Sequence, residues 1–131
     1  KMSKSYNNVI PLFAPAKQVR KSIMRIQTDS LGVEDSKDPD QCNIFQLYRH
    51  FTTAEEQATL AECYRAGGMG YGEAKQQLFE AVEQELGEAR EAYFQVREQP
   101  KTLEGILERG RDKARRVALE VRKRVRSSIG L

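Results

Sequence analysis

EAKQQLFEAVEQELGEAREAYFQVREQ, residues 73–99, decides the fold class. Ala74, Leu78, Val82, Leu86, Ala89, Tyr93 and Val96 return every three or four residues, with charged and amide side chains filling the positions between. That period is the apolar stripe of an amphipathic α-helix and runs too long for a strand. Pro100 stops it, because a residue before proline is pushed away from helical geometry. A second run then carries Leu103, Ile106, Leu107, Ala114, Val117, Ala118, Val121 and Val125 in helical register, with Gly110 on the same stripe. A missing side chain there lets a neighbouring helix come close. Two long helices joined by so short a connection are expected to pack as an antiparallel pair.

Upstream the signals are shorter. Pro15 suits a first helical position, and Ala16, Val19, Ile23 and Ile26 form a stripe that leaves Lys17, Arg20, Lys21 and Arg25 on an outer basic face. Residues 28–37 read as polar loop. Asp38-Pro39-Asp40 is a helix start that leads into Phe45, Tyr48 and Phe51, since an acid caps the first turn and proline tolerates it. Thr52-Thr53-Ala54-Glu55-Glu56 holds two overlapping capping boxes, and the helix they open ends at Gly67-Gly68. Residues 67–72 contain four glycines, but no strand precedes them and their spacing is not that of a dinucleotide loop. The predicted architecture is an all-α helical bundle with two long antiparallel C-terminal helices, preceded by a loop and short helices.

With 131 residues and 15.0 kDa the chain is one ordinary domain. A composition of 39% hydrophobic and 31% charged residues belongs to a polar folded domain, not a disordered tail. The longest uncharged stretch, Ser5 to Ala16, contains two prolines and falls short of the ~18 apolar residues of a membrane span. Cys42, Cys63 and the single His50 lack zinc-finger spacing and make no disulfide scaffold, so no metal site is expected and reduced thiols in a cytoplasmic protein are the reading. His50 is the only available imidazole base for a hydrolase, and no nucleophile elbow lies near it.

Charge is segregated. Residues 1–25 carry +6, residues 26–100 carry −9 and residues 101–131 carry +6. Two basic ends around an acidic middle point to two anion sites, or to one formed where the ends meet. The first end opens on Lys1-Met2-Ser3-Lys4-Ser5, in which two ammonium groups three residues apart and serine hydroxyls can face a polyphosphate. In the other end, Arg109, Arg116 and Lys123 are spaced by seven and share one side of a helix, while Arg115, Arg122 and Arg126 line another. Such stripes neutralise the phosphates of a nucleic acid, or stand as a solvated helix face.

Lys1-Met2-Ser3-Lys4-Ser5 is letter for letter the signature loop of class I aminoacyl-tRNA synthetases, and the rest resembles the bacterial-type tryptophanyl members of that family. Tyr6 to Phe13 is similar to the stretch after their signature, Thr28-Asp29-Ser30 to their turn after a short basic helix, and Asp38-Pro39 with Asn43 to Leu47 to their next helix. Gly70-Tyr71-Gly72-Glu73-Ala74-Lys75 is similar to a helix start in the family, and Ile106 to Arg115 to its glycine-containing last helix. The resemblance implies that Lys1, Met2, Ser3, Lys4 and Ser5 bind ATP, with Lys1 and Lys4 catalytic. It implies that residues 1–14 are the signature loop and linker at the edge of a Rossmann catalytic domain, and that residues 15–131 are a helical anticodon-binding domain. Arg109, Arg115, Arg116, Arg122, Lys123 and Arg126 are its candidate tRNA contacts. Tryptophan, ATP and Mg2+ are the implied substrates and cofactor, and the whole enzyme is expected to be a homodimer.

The family's two-histidine motif and parallel βαβ pattern are missing from these residues, which predicts a C-terminal fragment that does not activate tryptophan alone. Three readings compete with the tryptophan ligase: a tyrosyl-type synthetase domain, a non-catalytic basic helical RNA-binding module, and a helical protein-interaction domain.

Overall fold

The computed structural model describes residues 4–6 and 8–131, without the side chain of Lys4. All its regular structure is helical: a 3-10 turn Lys4–Tyr6, α1 Ala16–Met24, a 3-10 turn Pro39–Gln41, α2 Asn43–Tyr48, α3 Ala54–Ala66, α4 Tyr71–Arg97 and α5 Pro100–Ser128. No strand occurs among the described residues. The chain divides into two compact units, Lys1–Glu91 and Ala92–Leu131.

In the first unit, Pro15 stands just outside α1 as its N-cap, one residue before the position its sequence suggested. Val19 and Ile23, four apart, turn the buried face of α1 inward. The helix expected from Asp38 to Phe51 is instead a 3-10 turn and a short α-helix. Asp38 accepts from the Asp40 amide at 2.9 Å, Pro39 lies between them, and Cys42 then adopts an extended backbone with φ −93° and ψ 118°. That kink carries the Cys42 sulfur to 3.4 Å from the Tyr64 hydroxyl. At the far end, the Thr52 hydroxyl donates to the Tyr48 carbonyl at 2.7 Å and takes over an acceptor that a longer helix would use.

Thr53 and Glu56 form the capping box that opens α3, with the Thr53 amide donating to the Glu56 carboxylate at 2.8 Å. This bond holds the Glu56 pKa below the usual carboxylate range. Gly67 ends α3 with φ 79°, and a Cβ there would lie 2.5 Å from the Glu34 carbonyl oxygen, so the position admits only glycine. Tyr64 is fully buried in the middle, with its ring centroid 6.0 Å from Phe45 and 6.3 Å from Tyr71. Ile44 from α2, Leu60 from α3 and Leu78 and Val82 from α4 complete a dry core. Each such side chain contributes ~1.5–3 kcal/mol by leaving water.

The polar loop at 28–37 folds around a buried lysine. Lys37 is 2% exposed, and its ammonium donates to the carbonyls of Gly32 at 2.7 Å, Asp35 at 2.9 Å and Val33 at 3.3 Å, above the Tyr71 ring. The Lys37 amide donates to the Tyr64 carbonyl, and the Gly68 amide to Val33, which ties the loop to the end of α3.

The second unit is built differently. Tyr93 and Phe94 meet edge to face, and Arg97 lies over the Tyr93 ring. No residue of α5 is buried, and Leu103, Ile106, Val117, Val121 and Val125 are all exposed. A Cβ built on Gly110 meets nothing within 4 Å among the described residues.

Lys37→Met keeps the apolar stem and removes the ammonium from three carbonyls. Urea unfolding is expected to show a loss of about 3 kcal/mol. A loss below about 0.5 kcal/mol would mean that water serves those carbonyls equally well.

Candidate functional site

The phosphate-gripping residues proposed from sequence fall at the edge of the described chain. Lys1, Met2 and Ser3, and the side chain of Lys4, lie outside the described residues. Ser5 is exposed within the 3-10 turn. The segment from Ile10 to Ala14 is well anchored. Ile10, Leu12 and Ala14 pack against the core, and the Ala14 amide closes a turn onto the Pro11 carbonyl at 2.9 Å.

Arg90 of α4 reaches this segment. It is 4% exposed, its Nε donates to the Leu12 carbonyl at 2.8 Å, and its Nη1 donates to both carboxylate oxygens of Glu83 at 2.6 and 2.8 Å. A buried guanidinium needs such a counter-charge, since an unpaired one is strongly destabilising. Its Nη2 is buried with no hydrogen-bond partner among the described residues.

The Thr28-Asp29-Ser30 turn serves the helices. Asp29 accepts from the Leu31 amide at 3.0 Å and from the Tyr71 hydroxyl at 2.7 Å. Burial first, and then this bond, raises the Tyr71 pKa, and burial with the Cys42 contact does the same for Tyr64. Both phenols therefore stay neutral at ordinary pH and cannot act as bases. Lys75 donates to the Met24 carbonyl at 3.2 Å and Arg20 to Gln76 at 3.1 Å, so the start of α4 is fastened to α1. The Gly70–Lys75 motif is thus a joint between helices.

His50 is exposed after α2, Cys42 is buried, and Cys63 is exposed. Among the described residues no three His, Cys, Asp or Glu side chains gather to hold a metal ion.

All six candidate RNA contacts, Arg109, Arg115, Arg116, Arg122, Lys123 and Arg126, are exposed on α5. Over about 25 Å of helix they occupy the side away from the Leu103–Val125 stripe. The neighbouring Arg111 instead pairs with Asp112 at 3.0 Å.

Two residues escaped the reading of the sequence. Lys37 lies in a stretch without period, so nothing local marked it as buried. Arg90 did leave a signal, because Leu78, Val82, Leu86 and Arg90 step by four along one face and the charge falls in phase with the core.

A family model described as tRNA synthetases class I (W and Y) matches residues 1–87. The chain is 47% identical over its whole length to the tryptophan–tRNA ligase of Pseudomonas syringae pv. tomato, of which it covers 29%. It is also 47% identical to that of Rhodopirellula baltica, covering 41%. Among solved structures, tryptophanyl-tRNA synthetase from Campylobacter jejuni, complexed with ADP and tryptophan, superposes with a TM-score of 0.90 at 43% identity. All of this chain and 41% of that one are covered. The chain thus spans less than half the length of these relatives. No helix among the described residues is long and apolar enough to cross a membrane.

Proposed function

The chain belongs to the class I tRNA synthetases of the tryptophan and tyrosine group, and on that premise we propose that it is the C-terminal part of a tryptophan–tRNA ligase. The observation that carries this reading is the likeness of the whole chain, 47% identical from end to end, to tryptophan ligases, together with the Lys1–Ser5 signature. The same likeness favours tryptophan over tyrosine as substrate.

In this reading the tryptophan carboxylate attacks the α-phosphorus of ATP, and the bond to the bridging oxygen of the β-phosphate breaks. Aminoacyl-adenylate forms and pyrophosphate leaves. Negative charge builds on the departing group, and the ammonium groups of Lys1 and Lys4, with the Ser3 and Ser5 hydroxyls and the Met2 backbone shaping the loop, stabilise it more in the transition state than in the ground state. Magnesium travels with the nucleotide. The amino-acid pocket belongs to the remaining length of the enzyme, which works as a cytoplasmic homodimer.

The basic side of α5 supplies the second function, with Arg109, Arg115, Arg116, Arg122, Lys123 and Arg126 meeting phosphates of tRNA. Their exposure and their separation from the apolar stripe support this. Protein contacts to RNA phosphates release counterions, so binding of this kind weakens steeply with salt.

In the full-length ligase carrying this chain, Lys4→Ala is expected to slow tryptophan-dependent pyrophosphate exchange about a hundredfold, the equivalent of ~3 kcal/mol. An unchanged rate would remove Lys4 from the chemistry, and exchange that answers to tyrosine would overturn the substrate. For RNA, Arg116→Gln with Lys123→Gln is expected to flatten the slope of log affinity against log salt by about 1.5. An unaltered slope would release α5 from that role and leave the basic face as solvated surface.

A further inference from the structure

We propose that Arg90 is a positioning residue for the signature loop, acting through the backbone of Leu12 to hold the segment that follows that loop in sequence. The inference rests on the assignment of Lys1 and Lys4 to ATP phosphates.

Arg90 occupies a place that a hydrocarbon would fill more cheaply. It continues the Leu78, Val82 and Leu86 steps on the buried face of α4, where an apolar residue of similar volume avoids the desolvation of a guanidinium. Arg90 nevertheless sits there almost wholly enclosed, with one nitrogen lacking an acceptor among the described residues. Packing alone gives no reason for the charge.

The geometry supplies one. Glu83, two helical turns before Arg90, holds Nη1 with both carboxylate oxygens and so fixes that end of the guanidinium. The aimed Nε then meets a carbonyl 78 positions away in sequence. That carbonyl belongs to Leu12, inside the turn closed by Ala14 and Pro11, and eight residues after Lys4. A backbone acceptor fixes the path of the chain whatever side chain stands at 12. A lysine would reach one of the two acceptors, but not both in a fixed fork.

For the proposed reaction the consequence is selective. Displacing catalytic groups by about 1 Å can cost a hundredfold in rate. A loosened segment after the loop therefore weakens handling of the phosphates and leaves the amino-acid pocket alone. A residue that merely stabilised the fold would lower the amount of active enzyme and alter neither KM.

The test compares wild type with Arg90→Met, Arg90→Lys and Glu83→Gln in the full-length ligase, with rates normalised to titrated active sites. Arg90→Met is expected to lower kcat/KM for ATP by about ten- to a hundredfold, with the KM for tryptophan unchanged. Arg90→Lys is expected to recover part of that loss, and Glu83→Gln, which keeps an acceptor without the charge, to move the ATP constants in the same direction. If Arg90→Met fails to fold, the comparison rests on the other two variants. Wild-type ATP constants, or a KM for tryptophan that changes along with the ATP constants, would overturn the proposal. Amide hydrogen exchange in the same proteins separates this failure from failure of the ligase reading. Should the wild type support no tryptophan-dependent exchange of pyrophosphate, faster amide exchange confined to residues 9–14 in the variants still establishes the anchor, and unaltered exchange there refutes it.

Discussion

Tyr64 has no contact with water, and enclosing it fixes the first unit. Its ring lies between Phe45 and Tyr71, its hydroxyl meets Cys42, and its carbonyl receives the Lys37 amide. One residue of α3 thereby sets the position of α2, of the loop at 28–37 and of the first residue of α4. Once Tyr71 is held, its hydroxyl reaches Asp29, and the next turn of helix brings Lys75 to the end of α1. The direction of α4 is then determined, and with it the point at which Glu83 and Arg90 emerge beneath the segment after the signature loop.

The two units embody different solutions to charge. In the first, ions go inside and are answered one by one: the Lys37 ammonium by three carbonyls, the Arg90 guanidinium by a carboxylate and a carbonyl. Such sites are expensive to desolvate and rigid once satisfied. In the second, the cations of α5 stay in water along one side of a helix. That arrangement suits a partner that brings its own diffuse negative charge. On the proposed ligase reading, the first style is a fixed frame for the signature segment and the second an adaptable surface for a nucleic acid.

The sequence made these parts legible to different degrees. The stripe from Ala74 to Val96 announced α4 within two residues of its start, and Thr53 with Glu56 marked the start of α3, because both signals are local. The helix foreseen from Asp38 to Phe51 was divided because Cys42 turns extended to reach Tyr64, a tertiary demand that no neighbouring residue expresses. Lys37 was invisible for the same reason. The phase of α5 was plain, but a stripe says which side is apolar and not what lies against it. The signature pentapeptide was readable as letters, whereas the clamp behind it needed three residues, Leu12, Glu83 and Arg90, brought together from distant places.

In the proposed ligase, the lysines at the head of the chain hold the terminal phosphates of ATP. An ATP analogue bearing an aldehyde on its last phosphate forms an imine with any lysine it touches, and borohydride makes the link permanent. With the full-length ligase, mass spectrometry should find the label on Lys1 or Lys4, and excess ATP should prevent it. Label confined to Lys17, Lys21 or the lysines of α5, or indifferent to ATP, would take Lys1 and Lys4 away from the phosphates.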